Sequence, residues 1–80
     1  MNVYVLNEAA FRMDVYVGTK AIFAAKTLKE AKGIMEAQVA LRYHRDGMDL
    51  ETKGDRRATL GYPDRSWSFI YTIDTTPLLN

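Results

Sequence analysis

Hydrophobic and polar positions in the first 25 residues form a pattern that predicts three strands. Residues 3–6 are a short apolar run, residues 7–10 interrupt it, and residues 11–17 alternate with a period of two. Gly18, Thr19 and Lys20 supply a turn, because glycine accepts the positive φ angles that tight turns need. Residues 21–25 then return as a third strand, so the second and third strands are expected to make a hairpin.

The middle of the chain predicts one helix over about residues 28–44. Thr27 and Glu30 form a capping box, in which each side chain bonds to the backbone N–H of the other residue. Gly47 follows the helical pattern and suits a left-handed stop. Apolar residues recur at helical spacing and form one stripe: Leu28, Ala31, Ile34, Met35, Val39 and Leu41.

The rest of the chain predicts three further strands, over residues 48–52, 56–62 and 66–73, followed by a tail over residues 74–80. In the last strand Trp67, Phe69, Tyr71 and Ile73 share one face. The element order is then β-β-β-α-β-β-β, with about five to six strands. We expect one domain over residues 1–80, of the α+β class, with a single antiparallel sheet and one amphipathic helix packed on one face.

Composition excludes several function classes. The 80 residues include no cysteine and one histidine, so disulfides, thiolate metal sites and histidine-rich metal sites are excluded. A net charge of +1 argues against both a polyanion mimic and a strongly basic nucleic-acid arm. No apolar run approaches the length of a membrane span, and the N-terminus lacks the pattern of a signal peptide. We therefore expect a protein of a reducing cytoplasm with no membrane partner.

Candidate catalytic groups have simpler structural interpretations. His44 lies near the end of the helix, where the dipole favours a cation, and no nucleophile motif accompanies it. Asp46, Asp49 and Glu51 are close in sequence but fit a solvated strand better than a metal site. The glycines stand singly and form no phosphate-binding loop. The sequence thus indicates a protein that is not an enzyme and has no cofactor or metal.

Arginine and tyrosine residues are the remaining candidates, because these types are enriched at protein interfaces. Arg42 falls within the apolar arc of the helix, so it either extends past the sheet or meets an acidic partner. The predicted partner-binding residues are Arg42, Arg45, Arg56, Arg57, Tyr62 and Arg65. The same arginines, with aromatic side chains nearby, leave open a nucleic-acid-binding module, and exposed sheet edges leave open a homodimer. The stripe that contains Trp67 is more typical of a core than of a platform for bases.

In outline the chain resembles small cysteine-free proteins that bacteriophages encode in their accessory genes. Some anti-CRISPR proteins are similar in element order, with an N-terminal hairpin, one capped helix and a C-terminal meander. The segment that carries this likeness is Thr27-Leu28-Lys29-Glu30-Ala31-Lys32. The resemblance implies an inhibitor that occupies a surface of a host protein or nucleoprotein complex, and it assigns no role to any single residue.

Overall fold

A computed structural model describes residues 1–77 and contains one antiparallel sheet with a helix packed on one face. The spatial order of the strands is β2-β1-β5-β4-β3, so β1 and β5 are central and β2 and β3 are the edges. The elements are β1 (Asn2–Arg12), β2 (Val15–Ala25), α1 (Leu28–His44), β3 (Asp49–Lys53), β4 (Arg57–Gly61) and β5 (Ser68–Pro77). The predicted α+β class, with one sheet and one helix, is confirmed.

The helix begins where the capping box places it. The Thr27 hydroxyl accepts a hydrogen bond from the backbone N–H of Glu30 over 3.2 Å, which satisfies one of the free donors of the first turn. Ala31, Met35 and Val39 are buried against the sheet. Gly47, at φ 72°, lets the chain turn back after the helix so that Met48 enters the core.

The predicted strands before the helix differ from the observed ones. β1 continues through residues 7–10 because these residues pair on both sides, with β2 and with β5. The hairpin turn lies at Met13 and Asp14, which both have positive φ, and Gly18 is an interior residue of β2 opposite Ala10. Two strands therefore precede the helix instead of three.

The C-terminal part also needs a correction. Residues 74–77, predicted as part of a tail, belong to β5, and Asp74 is paired with Val5 of β1. Residues 78–80 of the predicted tail lie outside the described residues. Strand β3 begins at Asp49, one residue later than predicted, because Met48 is a buried core residue before the strand.

The core lies between the helix and one face of the sheet, called here the covered face. Leu6 of β1, Leu60 of β4 and Tyr71 of β5 are fully buried there. The 17-residue helix is about 25 Å long, whereas the 11 residues of β1 extend over about 36 Å. One end of the covered face therefore continues past the C-terminal end of the helix, and this end positions the site described next.

Candidate functional site

A buried polar network joins the helix to the sheet where the helix ends. The Glu8 side chain is only 7% exposed, and its Oε2 accepts a 2.7 Å hydrogen bond from the Tyr71 hydroxyl and a 3.2 Å bond from Arg42. Arg42 also donates from Nε to the Tyr71 hydroxyl over 3.1 Å and from Nη1 to Asp46 over 3.0 Å. Of the two predicted environments for Arg42, the structure thus shows the acidic partner, and both acidic partners are within the chain.

The network changes the ionisation of its members. Burial raises the pKa of Tyr71 to about 12; the hydrogen bond from Arg42 opposes this rise and Glu8 adds to it. Burial lowers the pKa of Arg42, but hydrogen bonds to Tyr71, Glu8 and Asp46 outweigh it, so its pKa lies above the ordinary value. Arg42 is therefore a permanently charged group held in one orientation.

Aromatic rings of β5 and its leading loop form a stack on the covered face. Trp67 and Phe69 are nearly parallel, with ring centroids 6.4 Å apart, and Tyr71 lies 6.5 Å beyond Phe69. The Arg42 guanidinium is 3.9 Å from the centroid of the Phe69 ring, and the Arg12 guanidinium is 5.9 Å from that of Trp67. The Trp67 indole thus packs against Phe69 and Arg12, although 37% of the residue is exposed.

Around Trp67 the surface forms a shallow depression of about 370 Å³ beside the end of the helix. Phe69 lies at its base, and Asp46 and Met48 complete its lining. Arg45 donates to Asp46 from Nε over 2.8 Å, and this bond lowers the pKa of Asp46, with a further contribution from Arg42. We call the following set the arginine–aromatic surface: Arg12, Arg42, Arg45, Tyr62, Trp67 and Phe69.

The structure divides the predicted partner-binding residues among three places. Arg42, Arg45 and Tyr62 line the same depression. Arg56 donates to the Thr75 hydroxyl over 2.9 Å and lies 6.0 Å from the Tyr4 ring, near the opposite end of β5. Arg57 is exposed and is paired with Thr72. Arg56 and Arg57 therefore do not join the arginine–aromatic surface.

Arg65 lies on the sheet face away from the helix, called here the open face. It donates to Asp14 over 2.9 Å and to Glu51 over 2.7 Å, and these bonds raise its pKa, with Glu51 the larger contributor. A pocket of about 290 Å³, which includes Phe11 and Ile70, adjoins these charges. Arg65 thus links the β1–β2 turn to β3 through two ion pairs.

Gly61 lies directly beside the Arg65–Glu51 ion pair. A Cβ atom there would lie 2.9 Å from Glu51 Oε1 and 3.0 Å from Arg65 Nη1, closer than such atoms normally approach. It would also lie 3.0 Å from Ser68 Cβ in the neighbouring strand. The absence of a side chain at Gly61 therefore leaves the space that the Arg65–Glu51 ion pair occupies.

The candidate catalytic residues are engaged in other contacts. The His44 ring packs edge to face on Tyr43, with centroids 5.0 Å apart. Asp46 and Glu51, two of the three clustered acids, are bound to arginines on different parts of the molecule. Among residues 1–77, no three acidic, histidine or cysteine side chains converge as metal ligands would. In the same range, no helix combines the length and the apolar character needed to cross a bilayer.

Sequence reasoning missed the exposure of Trp67 and the part played by Arg12. The alternation in β5 correctly placed Phe69, Tyr71 and Ile73 under the helix, and all three are buried. Trp67 continues the same stripe, but it lies past the end of α1. The sequence held no signal for this, because the predicted strands have at most eight residues and the 11-residue length of β1 depends on its pairing with both β2 and β5.

Comparison of the chain with protein-family models, with curated proteins and with solved structures found no match.

Proposed function

We propose that the protein is a non-catalytic binding protein that occupies a surface of a host protein or nucleoprotein complex through its arginine–aromatic surface. The observation that carries the proposal is Trp67, a large apolar side chain that is partly exposed and yet fixed by Phe69 and Arg12. A fixed aromatic side chain loses little conformational entropy on binding, so more of its contact energy is available for affinity.

The charges of the surface indicate the chemistry of the partner. Arg12, Arg42 and Arg45 surround Trp67, and Asp46 neutralises part of this charge. Tryptophan, tyrosine and arginine are the residues most often found at the energetic centres of interfaces. A partner that presents an apolar side chain between acidic ones would fit both the depression and its rim.

Nucleic acid is the alternative partner, since an exposed indole beside arginine also suits stacking on a base. Arg42 and Arg45 both bond to Asp46, which reduces the positive potential available to phosphates. This arrangement favours a protein surface. The resemblance to small phage accessory proteins supports an inhibitor that acts in the cytoplasm of a bacterial host, and this assignment remains a proposal.

The test is a pull-down from bacterial lysate with three immobilised proteins: the wild type, Trp67→Ala and Arg57→Ala. Arg57→Ala is the matched control, because it removes an exposed arginine from the open face. We expect one stoichiometric protein partner that resists nuclease, is retained by Arg57→Ala and is lost by Trp67→Ala. Circular dichroism of the variants establishes that each is folded.

Two results contradict the proposal. Equal capture of the partner by Trp67→Ala and by the wild type would remove the arginine–aromatic surface from the interface. Loss of every partner after nuclease, together with direct binding of the purified protein to nucleic acid, would replace the protein interface by a nucleic-acid one; the logarithm of the binding constant should then fall linearly with the logarithm of salt concentration. A weak dependence on salt with a nuclease-resistant partner supports the protein interface.

A further inference from the structure

The two edges of the sheet are protected to very different degrees. β3 has only five residues, carries Asp49, Glu51 and Lys53, and is interrupted by a shift of register against β4. Charged side chains, short length and bulges are the features that prevent an edge strand from pairing with another chain. β3 therefore has the character of a blocked edge.

β2, the other edge, lacks the short length and the dense charge of β3, although its register against β1 shifts at two places. It has 11 residues, and Lys20 is its single charged residue. Val15, Tyr16 and Val17 are each more than half exposed, and Phe23 is also exposed. Within residues 1–77 no strand pairs with the outer side of β2. An exposed edge of this length and apolar character is a template on which another strand can pair.

The sequence of β2 favours a second copy of the same strand as its partner. In a dimer of antiparallel edges with a two-fold axis normal to the sheet, the axis passes midway between the two copies of one residue. Side chains that are then opposite each other point to the same face of the joint sheet. The register of β2 against β1 is regular over residues 18–21, between two irregularities. An axis at Lys20 would set two ammonium groups opposite each other, whereas an axis at Thr19 avoids this repulsion.

The pairing at Thr19 also suits two further pairs of side chains on the covered face. Lys20 then lies opposite Gly18 of the second copy, so the long side chain meets a position that has none. Phe23 lies opposite Val15, which brings together two exposed apolar side chains. An aromatic residue beside a β-branched one is a favourable cross-strand pair.

From these observations we infer that the protein forms a two-fold dimer in which β2 pairs antiparallel with β2 of the second copy, centred on Thr19. The result is a continuous ten-stranded sheet with both helices on the same side. The dimer does not depend on the proposed function of the arginine–aromatic surface, since that surface is made by the helix end, Arg12 of β1 and the β4–β5 region and includes no residue of β2.

Cysteine cross-linking tests the register directly, because the chain has no cysteine of its own. In the proposed dimer the two Thr19 Cα atoms are about 4.5–5.5 Å apart, which a disulfide can span. We expect Thr19→Cys to form a covalent dimer under mild oxidation. Thr52→Cys, an exposed threonine on the blocked edge β3, is the matched control and should stay monomeric. Cross-linking of Thr52→Cys in place of Thr19→Cys would overturn the assignment.

The mass of the unmodified protein in solution is the second measurement. Sedimentation equilibrium should give a mass near twice 9.1 kDa. A mass of 9.1 kDa at every accessible concentration would overturn the proposal.

A pair of charge variants at Gly18 provides the sharpest control. A Cβ atom at Gly18 meets no atom within 4 Å, so the protomer has room for a side chain there. In Gly18→Lys the new side chain of each copy lies opposite Lys20 of the other, and the repulsion should raise the dimer Kd by roughly two- to thirty-fold. In Gly18→Glu the new side chain attracts Lys20, so the Kd should fall by a similar factor. Shifts in the same direction would contradict the register. Trp67→Ala should leave the mass unchanged, so this proposal and the proposed function can fail separately.

Discussion

Replacing Arg42 with methionine is the most informative perturbation of this fold. Methionine keeps an unbranched apolar side chain beside Phe69 but removes the guanidinium that bonds to Glu8, Tyr71 and Asp46. Glu8 would keep its bond from the Tyr71 hydroxyl and the Lys20 ammonium, which is 3.8 Å from its Oε1. Its buried carboxylate would thus lose its closest cationic partner.

Removing one member of a buried ion pair costs about 3–5 kcal/mol. Arg42 is 22% exposed and Lys20 remains near Glu8, so the lower end of this range applies to the ion pair. Loss of the cation–π contact with Phe69 adds about 0.5–1 kcal/mol. We expect a total of about 3–4 kcal/mol, which is a large part of the roughly 4–12 kcal/mol that stabilises a domain of this length.

Urea unfolding followed by tryptophan fluorescence measures this loss. With a slope near 1 kcal/mol per molar, typical of a small domain, the midpoint should fall by about 3 M. Adding Glu8→Gln to Arg42→Met removes the unpaired charge and should recover about half of the loss. Arg57→Met, on the exposed open face, is the control and should change stability by less than about 0.5 kcal/mol.

Two outcomes would refute the reasoning about Arg42. If Arg42→Met unfolds within about 0.5 kcal/mol of the wild type, the network contributes no net stability. If adding Glu8→Gln to Arg42→Met restores no stability, the stability lost in Arg42→Met comes from altered packing and not from the unpaired charge on Glu8.

Three further predictions concern single positions. Gly33→Ala should raise stability by about 0.5–1 kcal/mol in thermal unfolding, since the helical site is exposed and an added Cβ meets no atom within 4 Å; a lower stability would contradict this. Gly47→Ala should lower stability by about 1 kcal/mol in the same assay, because alanine resists the φ of 72°; an unchanged midpoint would show that the turn relaxes. In the folded protein the pKa of the Tyr71 hydroxyl is raised from 10.0 to about 12. With rising pH the hydroxyl therefore loses its proton first in the unfolded state. The stability that Tyr71 contributes is fully present below pH 10 and falls between pH 10 and pH 12. Tyrosinate absorbance during alkaline titration checks this, and a wild type that loses no more stability than Tyr71→Phe over that interval would exclude the assignment.

The elements that the sequence predicted correctly are those fixed by local interactions. The bond between Thr27 and Glu30 sets the start of the helix, and the spacing of Ala31, Met35 and Val39 sets its buried side. Both signals lie within a few turns of one helix, so no distant residue is needed to interpret them.

The N-terminal hairpin could not be placed in this way because its turn is held by a distant loop. Met13 adopts a positive φ, which is unusual for a residue with a long side chain. Its backbone N–H donates to the carbonyl of Arg65 over 3.0 Å, some fifty residues away in the chain. A sequence pattern favours Gly18 as the turn, and only the docked β4–β5 loop explains why Met13 and Asp14 form it instead.

The candidate site was predictable only in part for the same reason. The helical arc placed Arg42 towards the sheet and indicated an acidic partner as one of two options. Glu8, the partner within β1, is 34 residues away, and the sequence pattern predicts an interruption between strands at its position. Polar residues inside a central strand resemble a loop until their long-range partners are known.

The position of β1 between β2 and β5 has a consequence for how the chain folds during synthesis. β2 follows β1 directly, so the hairpin can form early, whereas β5 is the last of the described strands. Leu6 and Glu8 are opposite Ile73 and Tyr71, so one side of β1 lacks its strand partner on the nascent chain until those residues leave the ribosome. Because β1 pairs with β5 along this side, the sheet is complete only when nearly the whole described chain is available, and until then the early hairpin has an open strand edge that can aggregate.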